Sequence, residues 1–380
     1  MRARRAKIAI DAIPLLSPLT GIGHYTSKLI HHFRLLSPDY EYVYYYGYFT
    51  KRVLCGDEST YSLTKSLFKI PGVKKGLRNA VWNAAKLYRR DFDLYFEPNF
   101  IPMDMKTKTV VTTVHDFSFH LFRKTQPLER VEHFEKHFAK SVKRSDQIIT
   151  DSEHVKSEAI EFLRLPPKMI TPIHLGVEHE IFKRYDNPSL ETCRRELGLP
   201  GKFILFVGTR EPRKNLDRLL CAYLELPEWI KKEFELVLIG SQGWNENGFR
   251  SRLEKVGTRV KVLGYVDNRR LALIYNLAFL FVFPSLYEGF GLPPLEAMAC
   301  GCPVIASQVA SLPEVCGDAA YYVDPKDVSN MAEGITHVLS NDDLRKSLIS
   351  KGIERVKLFD WEKTARKTLD VFEEVMGRKE

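Results

Sequence analysis

Pro284-Ser-Leu-Tyr-Glu288-Gly289-Phe290-Gly291-Leu292-Pro293-Pro294-Leu295-Glu296-Ala297 is the stretch that decides how this chain folds. It follows the apolar run 279–283, which reads as a buried strand. Gly289 and Gly291 supply a turn. Pro293 and Pro294 fall where a helix begins, at positions whose N–H groups have no helical partner. The reading is strand, glycine-rich turn, helix. Such a helix start directs backbone N–H groups and the positive end of the helix dipole toward the loop, which suits a phosphate. Glu288 precedes the turn and Glu296 lies inside the helix. Each can accept hydrogen bonds from hydroxyls at opposite ends of one extended ligand. A glycine-rich turn alone often serves only backbone geometry. Two glutamates, two glycines and two prolines in one strand–turn–helix form a more specific signal.

Outward from this stretch the same alternation continues. Apolar runs at 203–207, 235–239, 260–263, 279–283, 304–306 and 320–323 are separated by amphipathic segments. A second series precedes it, with strands expected at 7–10, 40–48, 94–96, 109–114, 147–150 and 169–174. Helical patterns lie between them at 23–36, 77–90, 128–144 and 153–163, the last with Ser152 as N-cap. A polar break at 178–200, carrying Pro188 and Pro200, divides the two series. Repeated strand–helix alternation implies parallel sheets covered on both faces. The expectation is an α/β protein of two Rossmann-like, doubly wound domains facing a cleft, at 1–178 and 179–360. A final helix at 361–376 is expected to pack back on the first domain. In open α/β sheets ligands bind beyond the carboxyl ends of the strands.

The composition is that of a globular protein, with 44% hydrophobic and 28% charged residues. No apolar run is long enough to span a bilayer, and the basic start of the chain leads into too short an apolar stretch for a signal peptide. A cytoplasmic protein is expected. The six cysteines suggest neither a disulfide framework nor a zinc set. Residues 1–178 hold 28 Lys/Arg against 19 Asp/Glu, so the whole net charge of +9 falls in the first half. That asymmetry points to an anionic partner, nucleic acid or membrane surface. No nucleic-acid reader module is present. The helical pattern 74–90 combines Lys74, Lys75, Arg78, Lys86, Arg89 and Arg90 with Trp82 and Tyr88. It suits an anionic membrane surface, or equally a solvated helix packed on the core. Asp91-Phe-Asp93 has the spacing of a metal-binding pair but precedes its strand, and two carboxylates are too few for a hard cation. No metal is expected. His115 and Asp116 end an apolar strand at its carboxyl edge, and the aromatic segment 117–123 follows at once. Gly21-Ile22-Gly23 opens a helix after the first strand.

The segment 288–296 matches the E-x7-E motif of glycosyltransferase family 4 (group 1), the large retaining GT-B family. The similarity extends through Ala297-Met-Ala-Cys-Gly301-Cys-Pro303-Val304-Ile-Ala and Leu312-Pro313-Glu314. It covers Phe206-Val-Gly208-Thr-Arg210-Glu211-Pro212-Arg213-Lys214-Asn215 and Gly264-Tyr-Val-Asp267. In the first half it covers Thr20–Gly23, Val114-His115-Asp116, Thr150-Asp151-Ser152 and His174-Leu175-Gly176-Val177.

The resemblance implies roles for matching positions. Glu296 would hold the nucleotide ribose and Glu288 the hydroxyls of the donor sugar. Backbone amides at Phe290, Gly291 and Leu292 would meet sugar and phosphates, and Arg213 and Lys214 would neutralise the diphosphate. Many members carry arginine directly after the glycine matching Gly208. This chain has Thr209 and then Arg210, which leaves the phosphate arginine open between Arg210 and Arg213. Gly21 and Gly23 would face the donor phosphates, and His115 the donor sugar and reaction centre. The implied reaction is retaining transfer without protein nucleophile, cofactor or metal. The bacterial surface-polysaccharide mannosyltransferases look most similar. They imply GDP-mannose as donor, a lipid-linked oligosaccharide as acceptor, and peripheral attachment to the inner face of the cytoplasmic membrane in O-antigen synthesis. A soluble transferase using a UDP-sugar or a small acceptor is the alternative.

Overall fold

The computed structural model describes residues 5–16, 21–54, 91–244 and 247–378. The basic helical pattern at 74–90 lies outside the described residues. The chain divides into two compact units. The first comprises Met1–Asp116, Glu129–Leu175 and Trp361–Glu380; the second comprises Phe117–Leu128 and Gly176–Asp360.

The first unit is built on strands β1 (Lys7–Asp11), β2 (Glu41–Tyr45), β3 (Phe49–Thr50), β4 (Phe92–Glu97), β5 (Thr107–Val114), β6 (Gln147–Thr150) and β7 (Ile170–Pro172). They form one sheet in the order β3-β2-β1-β4-β5-β6-β7. All pairs are parallel except β2 with β3. Ile8, Ala9 and Ile10 of β1 are fully buried. This central strand is covered on both faces, which is why it reads as a continuous apolar run and not an alternating one. The single strand expected at 40–48 is instead a hairpin. Gly47 takes a φ of +91°, and the chain doubles back so that Tyr44 opposes Thr50. Asp93, the second acid of the Asp91-Phe-Asp93 pattern, holds the sheet: it accepts from the backbone N–H of Lys7 at 2.9 Å and pairs with Lys108 Nζ at 2.8 Å.

The helix Gly21–Leu36 buries Tyr25, Leu29, Ile30 and Phe33 along one face. The C-terminal helix Trp361–Gly377 packs Phe372 at a tilt against Phe33 and Phe96, with ring centroids 5.4 and 5.1 Å apart. Thr364 at its start donates to the carbonyl of His174 at 2.8 Å.

The second unit has strands β8 (Phe203–Val207), β9 (Glu235–Ile239), β10 (Val260–Leu263), β11 (Leu280–Phe283), β12 (Val304–Ser307) and β13 (Ala320–Val323). They lie wholly parallel in the order β10-β9-β8-β11-β12-β13. Its core includes Ile204, Phe206, Leu236, Leu280, Val282 and Ile305, packed under helices Leu216–Glu225 and Val328–Ser340. In both units the order reverses beside the first strand, between β1 and β4 and between β8 and β11. Ligand crevices form at such reversals in open α/β sheets.

One segment falls elsewhere than the boundary at 178 implied. Residues 117–128 pack with the second unit. The Phe117 N–H donates to the Tyr287 hydroxyl at 2.9 Å, the Phe122 ring lies 5.8 Å from that of Tyr287, and Trp244 Nε1 donates to the Thr125 carbonyl at 2.5 Å. Among the described residues no helix is long and apolar enough to cross a membrane. The described cysteines are free, and Cys193, Cys300, Cys302 and Cys316 are buried.

Candidate active site

At the reversal of the second unit, two loops meet beyond the ends of β8 and β11. The β8 loop runs through Gly208 into a short 3-10 turn, Pro212–Lys214, which Asn215 ends with a φ of +61°. Asn215 is buried, and its Nδ2 donates to the carbonyls of Pro284 (2.9 Å) and Pro325 (2.7 Å), binding the ends of β8, β11 and β13 together. A neighbouring loop crosses close by. Any Cβ on Gly240 or Gly243 would fall 2.0 Å from the carbonyl oxygens of Gly208 and Arg210. Only glycine permits that approach.

This frame presents Arg213 and Lys214 to Glu288. Arg213 Nη1 donates to Glu288 Oε2 at 2.8 Å, and Lys214 Nζ to Glu288 Oε1 at 2.6 Å. Arg213 also reaches the Tyr287 carbonyl (2.8 Å) and Glu211 Oε1 (2.6 Å). All four charged side chains are close to buried. Burial opposes charge on Glu288, but Arg213 and Lys214 outweigh it and hold the carboxyl down at about 2. Burial lowers Lys214 below the ordinary lysine range, against the pull of Glu288. Removing one partner of such a buried cluster costs about 3–5 kcal/mol, because the remaining charges stay buried without compensation. The Arg210 guanidinium lies over the Phe249 ring at 5.6 Å. Arg213 shares the cluster with Glu288.

The turn expected at 289–291 is present. Gly291, with φ +109°, is the N-cap of helix Leu292–Ala299, which carries Pro293 and Pro294 in its first turn. First-turn N–H groups lack intrahelical acceptors. A Cβ on Gly291 would lie 2.7 Å from Leu312 Cδ2. Ser311 Oγ lies 2.8 Å from the carbonyl of Glu288 and 2.7 Å from that of Phe290, so its one proton serves both sides of the turn. Phe290 is buried edge-on against Phe359. Glu296 sits on the helix with Tyr275 Oη at 3.4 Å. Burial raises it to about 8, helped by the charge of Glu178 and opposed by Tyr275. The two motif glutamates therefore differ: Glu288 is held ionised and Glu296 is held protonated near neutrality.

The remaining expected residues belong to the first unit. Gly21 opens helix Gly21–Leu36, and a Cβ there would meet nothing within 4 Å, whereas Gly23 is buried. His115, just past β5, is buried, with Nδ1 2.8 Å from Asp151 Oδ2 and Nε2 2.8 Å from the Pro98 carbonyl. Both partners are acceptors, so the pair of contacts suits an imidazolium. Burial works against that charge, yet Asp151 and Pro98 raise the His115 pKa above its ordinary value.

The sequence alone singles out neither Ser311 nor Tyr287, and it assigns no role to Asp151 or Asn215. Asn215 was detectable as a polar residue between a turn and a helix; Ser311 carries no local signal. Asp11 and Glu97, which end β1 and β4, were also missed. An acid closing an apolar strand was the available sign.

Residues 191–355 match the family model described as glycosyl transferases group 1. The chain is 32% identical to the O-antigen chain mannosyltransferase B of Escherichia coli, covering 96% of this chain and 99% of that protein. The chain belongs to the group 1 glycosyl transferases. A second relative of this glycosyltransferase, the serotype-specific mannosyltransferase WbdA of Escherichia coli, is 31% identical across 60% of this chain and 29% of its own length. Among solved structures, sucrose-phosphate synthase from Thermosynechococcus elongatus superposes with a TM-score of 0.69 at 20% identity, covering 98% and 100% of the two chains. WaaG, a glycosyltransferase involved in lipopolysaccharide biosynthesis, gives 0.68 at 15% identity, covering 96% and 99%. These likenesses establish the GT-B fold.

Proposed function

We propose that this glycosyltransferase moves mannose from GDP-mannose, with retention, to a lipid-linked oligosaccharide in O-antigen synthesis. The observation that carries the reading is the buried cluster of Arg213, Lys214 and Glu288 beside the helix that starts at Leu292. The mannosyl specificity rests on the full-length similarity to an O-antigen mannosyltransferase.

In this account Arg213 and Lys214 turn toward the donor diphosphate when it binds, and with the first-turn amides after Gly291 they stabilise charge on the departing nucleotide. Glu288 orders both cations beforehand and takes hydroxyls of the donor sugar. Glu296 takes the ribose hydroxyls. His115 serves the reaction centre, as an imidazolium held by Asp151. Two cations and a helix terminus do the work that a divalent metal would otherwise do, so none is needed. The acceptor belongs on the first unit. The excess positive charge of residues 1–178 draws that face to an anionic bilayer. Sedimentation with anionic vesicles at low salt and release at high salt is expected, and indifference to such vesicles removes the membrane part of the proposal.

The donor is tested by protection against thermal unfolding with GDP-mannose and UDP-glucose side by side. Protection by the former and not the latter is predicted. The reverse result would turn the reading toward a UDP-sugar transferase.

A further inference from the structure

The first unit carries a cavity of about 370 Å³ at its own reversal point, beyond the carboxyl ends of β1 and β4. Asp11 is the last residue of β1 and Glu97 the last of β4, and these strands are neighbours in the sheet, with Ile10 opposite Phe96. Both carboxyls line the cavity although both residues are more than nine-tenths buried. They are held from behind. Asp11 Oδ1 accepts from the Ile13 N–H at 2.8 Å; Glu97 Oε1 accepts from the Asn99 N–H at 3.0 Å and Oε2 from the Tyr95 hydroxyl at 2.6 Å. Two buried acids this close retain a proton between them. Burial raises both, Asp11 to about 7; the charge of Asp11 raises Glu97 further, while the hydrogen bond with Glu97 lowers Asp11, so the shared proton rests on the Glu97 side. A cavity wall with one acidic proton and several carboxylate lone pairs both donates and accepts, as a pair of neighbouring hydroxyls requires.

The lining also includes two phenylalanine rings. Phe100 and Phe134 meet edge to face at 5.4 Å, and Arg130 lies 5.8 Å above the Phe134 ring. Phe100 takes a φ of +64°, a costly conformation for a bulky residue. That turn also places its ring 5.3 Å from His115 and presents the Pro98 carbonyl to His115 Nε2. The cavity and the His115 pocket thus share one loop, Pro98–Phe100. Acid pairs against apolar ring faces suit a sugar, which has hydroxyls at its edge and C–H groups on its faces.

We propose that this cavity seats the terminal sugar of the acceptor, with Asp11 and Glu97 binding two of its neighbouring hydroxyls. The assignment rests on the glycosyl-transfer reading above. The test uses α-linked mannobiose as acceptor with GDP-mannose as donor, on the full chain. Asp11→Asn and Glu97→Gln should each raise the acceptor KM about 10–100-fold, the loss of one or two charge-assisted hydrogen bonds. The concentration of GDP-mannose that protects the protein from unfolding should stay unchanged. If either variant fails to fold, Asn99→Trp answers the question. Asn99 is exposed on the rim, and its replacement leaves the backbone N–H that holds Glu97 in place. It should raise the acceptor KM by a similar factor. Folded variants with a wild-type acceptor KM would overturn the inference and leave the proposed function standing. So would a wild type that is protected by GDP-mannose yet neither glycosylates mannobiose nor shows saturation transfer to it by NMR. A wild type that no nucleotide sugar protects would remove the proposed function and this inference with it.

Discussion

Two glutamates eight positions apart sit in opposite electrostatic states. Glu288 faces two cations and remains charged; Glu296 faces a phenol and apolar packing and keeps its proton to about 8. The sign of each effect on stability differs. Glu288, depressed below its ordinary value, stabilises the fold above pH 4.5, and that contribution is lost as pH falls toward 2. Glu296, raised above its ordinary value, favours the fold most below pH 4.5 and loses that contribution as pH climbs through about 8. If the ribose hydroxyls are held by the ionised carboxylate of Glu296, donor binding must first remove its proton. The affinity for GDP-mannose should then rise by up to about tenfold per pH unit below 8 and level off above it. Isothermal titration across this range checks the slope, and Glu296→Gln should flatten it. An unchanged slope in that variant would show that Glu296 is not the ribose ligand.

The site elements are short and rigid, and they illustrate what a sequence exposes. The strand, turn and helix around Glu288 were legible because each uses local chemistry: an apolar run, a glycine and prolines in a first turn. Gly291 has two independent reasons to be glycine, its φ of +109° and the Leu312 methyl 2.7 Å from any Cβ. Gly291→Ala should therefore lower stability by about 1–3 kcal/mol and weaken nucleotide protection, measured by chemical denaturation with and without GDP. A variant as stable as the parent would mean that the turn relaxes freely. What was not legible came from long-range packing. Nothing near Tyr44 announces that the chain turns back at Gly47, because glycine in a tyrosine-rich run fits a strand as well as a hairpin. Residues 117–128 read as a continuation of the first domain, yet their partners Tyr287 and Trp244 lie more than a hundred residues away. The Arg210 and Arg213 question was undecidable from spacing alone. The 3-10 turn carries Arg213 and brings it against Glu288.

At the scale of the whole molecule, both units repeat one solution. Each is a doubly wound sheet whose polar groups gather where the strand order reverses, Asp11 and Glu97 in the first and Arg213, Lys214 and Glu288 in the second. The first collection is acidic and proton-sharing, suited to hydroxyls. The second pairs cations with a helix start, suited to phosphates. That division of labour is what transfer between a nucleotide sugar and a hydroxyl demands. The most direct measurement is the transfer reaction itself, run with GDP-mannose in excess chelator, with the anomeric configuration of the product read by NMR. An α-mannoside is expected, formed without added metal and lost in Glu288→Ala. A β-linked product, or activity that magnesium or manganese alone restores, would contradict it.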